Sequence, residues 1–174
     1  ERWEKAEAKG IIRPSNLYAL AQNCYQCHTV PNEKLVNVGG HKAGSDFELV
    51  AWSQGEVRHN LWYADGKQNK EASVDRRRVM YVVGQALDLE YALRGVAKAT
   101  AKDNYAVAMA QRAKKAALGI KKIADAGVKA PEVAEILKIR NPGEKLGKLR
   151  ASAHPQAQFL WATFRDVFHY AAYH

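Results

Sequence analysis

Cys24, Tyr25, Gln26, Cys27 and His28 form a C-x-x-C-H pentapeptide. Two thiols so spaced can each add to one vinyl group of a haem, and the histidine beside the second supplies an axial nitrogen to the iron. The motif therefore predicts one covalent haem c, held by Cys24 and Cys27, with His28 as the proximal iron ligand. A bare C-x-x-C would equally suit thioredoxin-like redox chemistry or half a zinc site. Neither a βαβ context nor a second C-x-x-C accompanies it, and the histidine in the fifth position favours haem. Both cysteines of the chain lie in this motif, so no thiol is left over for a structural disulfide.

The second axial position decides the chemistry. A methionine or second histidine there saturates the iron and favours electron transfer, whereas an open position admits small ligands. His59 is the first choice. Trp52, Gly55 and His59 are spaced by three and four, which places them on one helical face, and the missing side chain of Gly55 lets a flat macrocycle approach the backbone. Trp52 would then cover a porphyrin edge. His41, in the glycine-rich stretch Gly39, Gly40, His41, Lys42, is the alternative, with a propionate contact or an exposed loop position as its other outcomes. Met80 and Met109 fall on bundle helices and are better read as core fillers. His154, His169 and His174 are read as structural or surface residues, with His169 able to reach the haem only if the last helix packs there. Arg58, next to His59, suits a bidentate contact to a haem propionate, and Arg76, Arg77 and Arg78 offer a second such clamp. Tyr18 and Tyr25 adjoin the motif and are read as packing against the cofactor.

Helices must position these groups, since apolar residues recur at three- and four-residue intervals and strand-like alternation is almost absent. A first helix is predicted from an N-cap at Ser15, carries the motif at its end and stops before Pro31. A loop over 29–45 follows. Ser45 and Asp46 are candidate caps for a second helix to about Trp62. After a polar connection over 64–72, Ser73 caps a helix whose stripe is Val79, Val82, Val83, Ala86, Leu87, Leu93, Val96 and Ala97. Thr100 and Asp103 mark either a break with a new cap or a kink. The next stripe, Tyr105, Met109, Ala113, Ala116, Ile120 and Ile123, ends at Gly127, a good residue just past a helix end. Pro131 opens a short helix to Leu137, which Asn141, Pro142 and Gly143 break. A last helix is predicted from Pro155. The expected fold is all-α, with an N-terminal haem c segment over 1–63 packed as one body on an antiparallel helical bundle over 64–174.

At 174 residues, 47% of them hydrophobic, the chain suits one domain with a sizeable core. No stretch approaches a membrane span, which needs roughly 18 uninterrupted apolar residues. The charged start, Glu1 to Gly10, lacks an apolar signal core, so the export signal that haem attachment requires is expected to have been removed. The chain stops at His174 without a terminating signal, which suggests a fragment or the ordered part of a longer protein. A net charge of +9 favours an acidic redox partner and permits an anionic membrane surface. Nucleic acid is disfavoured because no binding module accompanies the charge. Lys114, Lys115, Lys121 and Lys122 fall on polar helix sides and are read first as a solvated face.

The run from Asn23 to Asn60, with Cys24 to His28 and then Phe47, Trp52 and His59, resembles haem-binding modules of bacterial multihaem c-type cytochromes of the hydroxylamine-oxidoreductase-associated group. In those modules a tryptophan-containing helix carries a distal histidine, and this chain has one haem motif where they have several. Cytochromes c′ carry their motif on the last helix, so a motif near the start excludes their topology. The expected function is a periplasmic electron carrier with a low-spin bis-histidine haem and no substrate chemistry of its own. A haem-based sensor or small-ligand-binding protein is the alternative. Peroxidase or nitrogen-oxide chemistry would need an accessible iron and a distal acid or base that the sequence does not identify. A bundle that helps to assemble a larger respiratory complex is compatible with electron transfer.

Overall fold

Helical spacing in the sequence becomes helix over the residues that the structure describes. A computed structural model describes residues 2–13, 16–54 and 71–129, together with 133, 134 and 137, and among these residues the fold is all-α with no strand. Its helices are α1 (Arg2–Ala8), α2 (Leu17–His28), α3 (Glu33–Asn37), α4 (Leu49–Gln54), α5 (Val74–Lys98) and α6 (Asn104–Asp125). None of them is long and apolar enough to cross a membrane. The expected boundary at 63 and 64 and the expected last helix lie outside the described residues.

The two long helices form where the stripes place them. Ser73 caps α5 by accepting the Arg76 N–H at 3.2 Å, and Asp103 caps α6. Of the two alternatives at Thr100 to Asp103, the structure has a break with a new cap. Past α6, Gly127 takes φ +81°, the left-handed conformation that suits glycine at a helix end. The helices run antiparallel: Gly95 faces Tyr105 and Met109, Asp88 meets Arg112, and Gln85 lies over Gly119. At Gly95 the approach is close enough that a Cβ would stand 2.6 Å from Met109 Cγ, and Met109 is wholly buried.

α2 packs across this pair. Leu17, Ala21 and Tyr25, one turn apart on a single face, join Val83, Ala86 and Leu87 of α5 and Ala113, Ala116 and Ile120 of α6 in the main core. Burying a side chain such as Leu87 is worth about 1.5–3 kcal/mol. The predicted stripe of α6 is buried at every position, but that of α5 is shifted. Val79 and Ala97 are exposed, while Met80, Leu89 and Ala92 are buried. With α2 on one side and α6 on the other, α5 covers a wider arc than one stripe, and that arc includes the buried carboxylates Asp88 and Glu90. Glu90 accepts from Tyr18 of α2 and from Arg94.

The expected loop over 29–45 contains a helix. Asn32 caps α3 through a 2.9 Å bond from the Leu35 N–H. The Glu33 carboxylate accepts from the Thr100 N–H at 2.9 Å, the Thr100 hydroxyl at 3.0 Å and the Ala101 N–H at 3.2 Å. Asn37 accepts the Tyr105 N–H at 3.0 Å, and the Ser45 carbonyl accepts from Arg112 at 2.8 Å. Partners in these rungs are 67 or 68 residues apart, so the strap 33–45 runs parallel to the first half of α6 at a nearly constant offset.

Candidate haem-attachment site

α2 delivers the pentapeptide on its last turns. Its N-cap is Asn16, not the predicted Ser15: the Asn16 carboxamide oxygen accepts the Ala19 N–H at 3.2 Å. With the Leu17, Ala21 and Tyr25 face turned to the core, Cys24, Cys27 and His28 fall together along the adjacent edge, at steps of three and four from Cys24. Cys24 is half-buried and Cys27 exposed, and both are free thiols. Burial, and secondarily Cys27, raises the Cys24 thiol above its ordinary range. The helix stops at Thr29, whose buried hydroxyl donates to the Tyr25 carbonyl at 2.7 Å. Val30 then takes φ +50°, a left-handed conformation that costs a β-branched residue about 1–2 kcal/mol. Its N–H still bonds the Cys27 carbonyl at 3.0 Å, and its side chain packs beside Val36, Tyr105 and Met109.

His28 is held from several sides. Its Nδ1 lies 3.1 Å from Ser45 Oγ, and its carbonyl accepts the Ser45 N–H at 2.9 Å. The Phe47 ring stacks on the imidazole at 4.3 Å and 12°, and Trp52 meets it edge-on at 5.3 Å. Tyr25 meets Phe47 at 4.9 Å in a T-shaped contact. The structure thus brings Trp52, a predicted site residue, to the motif. Ser45 and Asp46 do not cap α4 as expected. Ser45 is spent on His28, and the Glu48 carboxylate caps α4 by accepting the Val50 N–H at 3.1 Å and the Ala51 N–H at 2.8 Å.

Behind Ser45 stands a buried ion pair. Arg112 donates through Nε to Asp88 of α5, each side chain being 12% exposed, and through Nη1 to the Ser45 carbonyl. Burial pushes the Asp88 carboxyl up against the opposing pull of Arg112. Gly44 has φ +81°, and a Cβ there would stand 2.8 Å from Arg112 Nη1 and within 3.4 Å of the Thr29 and His28 carbonyl oxygens. The contact of Ser45 with His28, and Arg112 and Asp88 behind it, were not evident from sequence, because no local pattern links residues this far apart.

The remaining candidates fall elsewhere. His41 is exposed, its Nδ1 bonded to the Lys42 carbonyl at 2.8 Å, and it lines a cleft of about 570 Å³ with Lys102, Asp103 and Asn104. None of Cys24, Cys27 and His28 lines that cleft. Arg58, His59, His154, His169 and His174 lie outside the described residues. Met80 and Met109 are both buried in the core. Tyr18 and Tyr25 turn towards α5, where Tyr18 bonds Glu90 and the Tyr25 phenol lies against Gly84. Burial raises both phenols. Arg77 pairs with Glu71 and Arg78 with Asp75. Among the described residues no three His, Cys, Asp or Glu side chains converge on a metal-sized site. Compared with known proteins, the chain matches no family model, no curated protein and no solved structure.

Proposed function

We propose that the chain is a c-type cytochrome unit, an N-terminal haem segment on a helical bundle, which carries single electrons between redox partners. One haem c is attached through Cys24 and Cys27, with His28 as the proximal ligand. The observation that carries this reading is the placement of two free thiols and a clamped histidine along one edge of the last turns of α2. The residues fit a macrocycle held in this way. Phe47 covers the flat face of the imidazole, whereas the Nε2 lone pair lies in the ring plane, so the stack orients the ring without obstructing the direction of an iron bond. Nδ1 beside Ser45 Oγ leaves ligation to Nε2, an arrangement in which the second nitrogen fixes tautomer and orientation. When bound, the haem supplies a one-electron iron couple.

His59 is the distal ligand in this reading. The exposed loop position of His41, in a cleft lined by the start of α6, supports that order of preference. Trp52 and Arg58 flank the haem in the same reading. The exposed Lys114, Lys115 and Lys122 suit an acidic partner, and haem attachment implies an exported, periplasmic protein. Expression with a haem-attachment apparatus tests the proposal. A covalent haem that survives denaturation and disappears in Cys24→Ser/Cys27→Ser is expected, with a low-spin ferric spectrum. His59→Ala should give a high-spin, carbon monoxide-binding form and His41→Ala should not. No covalent haem defeats the reading, and a high-spin wild-type spectrum defeats its bis-histidine part.

A further inference from the structure

Three residues that serve no ligand role converge behind His28. Ser45 touches it twice over: its N–H and its hydroxyl approach the His28 carbonyl at 2.9 and 3.4 Å, and Oγ faces Nδ1 at 3.1 Å. A His28 ring protonated on Nδ1 can donate to Ser45 Oγ while the Ser45 hydroxyl donates to the His28 carbonyl, a pairing that both distances allow. That is the tautomer whose Nε2 can bond a metal. Ser45 follows Gly44 in a segment outside any helix, so no helical hydrogen bonds hold it there. Arg112 holds it with a fork: Nη1 to the Ser45 carbonyl at 2.8 Å, Nε to Asp88.

We propose that Arg112 is a positioning residue for the proximal haem ligand, acting through Ser45, with Asp88 as its anchor. The inference rests on the haem reading above. Arginine suits the task because two acceptors on different elements must be held at once by a rigid planar group. A lysine ammonium would keep the charge but not the fork. The guanidinium lies directly over Gly44, where any side chain would displace it. The hydrogen bond from Nδ1 makes the proximal nitrogen more basic, which favours ferric over ferrous iron. Loosening Ser45 therefore raises the reduction potential.

The test is a double-mutant cycle on the haem-loaded full chain, reading the potential of wild type, Ser45→Ala, Arg112→Lys and the double variant. Both single variants are expected to shift the ferric/ferrous equilibrium upward by about threefold, which is about 28 mV from 59 mV per decade for one electron. In the Ser45→Ala background Arg112→Lys should add little, since the hydroxyl through which it acts is gone. A shift of equal size in both backgrounds, or none in either, overturns the inference while leaving the haem reading intact. If Arg112→Lys does not fold, Gly44→Ala displaces the guanidinium with Arg112 and Asp88 still present. It is expected to raise the potential in the same way, and an unchanged potential overturns the inference. A wild-type chain without covalent haem overturns both.

Discussion

Substituting alanine at two glycines separates backbone strain from close contact at the site. Gly40 and Gly44 both have left-handed backbones, φ +69° and +81°, but an added Cβ meets nothing within 4 Å at Gly40 and meets Arg112 Nη1 at 2.8 Å at Gly44. Alanine costs about 1–2 kcal/mol in this conformation. Reduced freedom of the unfolded chain returns about 0.4–1 kcal/mol. Gly40→Ala should thus lose about 1 kcal/mol. At Gly44 the guanidinium can move aside only by giving up its bonds to Asp88 and Ser45, and the next nearest atoms are backbone oxygens of Thr29 and His28. Overpacking of that kind adds about 1–3 kcal/mol, so Gly44→Ala should lose about 2–4 kcal/mol. Urea denaturation of both variants measures the difference, and because the unfolded-state change is the same in each, it cancels. Losses that agree within about 0.5 kcal/mol, the usual additivity error, would refute the close contact.

Other predictions follow the same contacts. Gly95→Ala forces a Cβ against Met109 Cγ, an atom close to its own backbone in a sealed core, and should destabilise by about 1–2 kcal/mol in thermal melts. Gly119→Ala meets the Gln85 side chain, which is half-buried and can swing outward, so the helix preference for alanine should leave it neutral or up to about 1 kcal/mol more stable. The Thr100 N–H holds the Glu33 carboxyl below its usual range. That contact stabilises the fold above the unfolded carboxyl value and is lost as pH falls through the lower folded one. Glu33→Gln should flatten the acid side of the stability profile and speed hydrogen exchange at the Thr100 and Ala101 amides.

Where structure was legible in the sequence, the cause was local. Ser73, Asp103 and Gly127 act on their own helix ends, and the α6 stripe needs only a 3.6-residue period to be read. α3 is five residues long, too short to show a period, and its reason for existing is the pairing of Glu33 and Asn37 with partners far along the chain. Ser45 carries an ordinary capping signal, yet its hydroxyl serves a histidine 17 residues earlier. The pentapeptide's place at the end of a helix was legible because the pattern and its stop at Pro31 are local. Its supports were not, because Phe47, Ser45, Arg112 and Asp88 reach it only through tertiary packing.

The constant offset between the strap and α6 has a consequence for assembly. Bringing residues 67 apart together incurs a loop-closure entropy on the order of 4 kcal/mol beyond a fixed constant. All the rungs, from Glu33 with Thr100 through Asn37 with Tyr105 to Ser45 with Arg112, lie in register, so the first to form incurs that entropy and the others add their bonds to a loop already closed. The strap therefore forms and dissolves as a zipper. Loss of the Glu33 rung alone leaves the loop closed by Asn37 and Ser45, so the fastening beside His28 outlasts fraying at the far end of the strap.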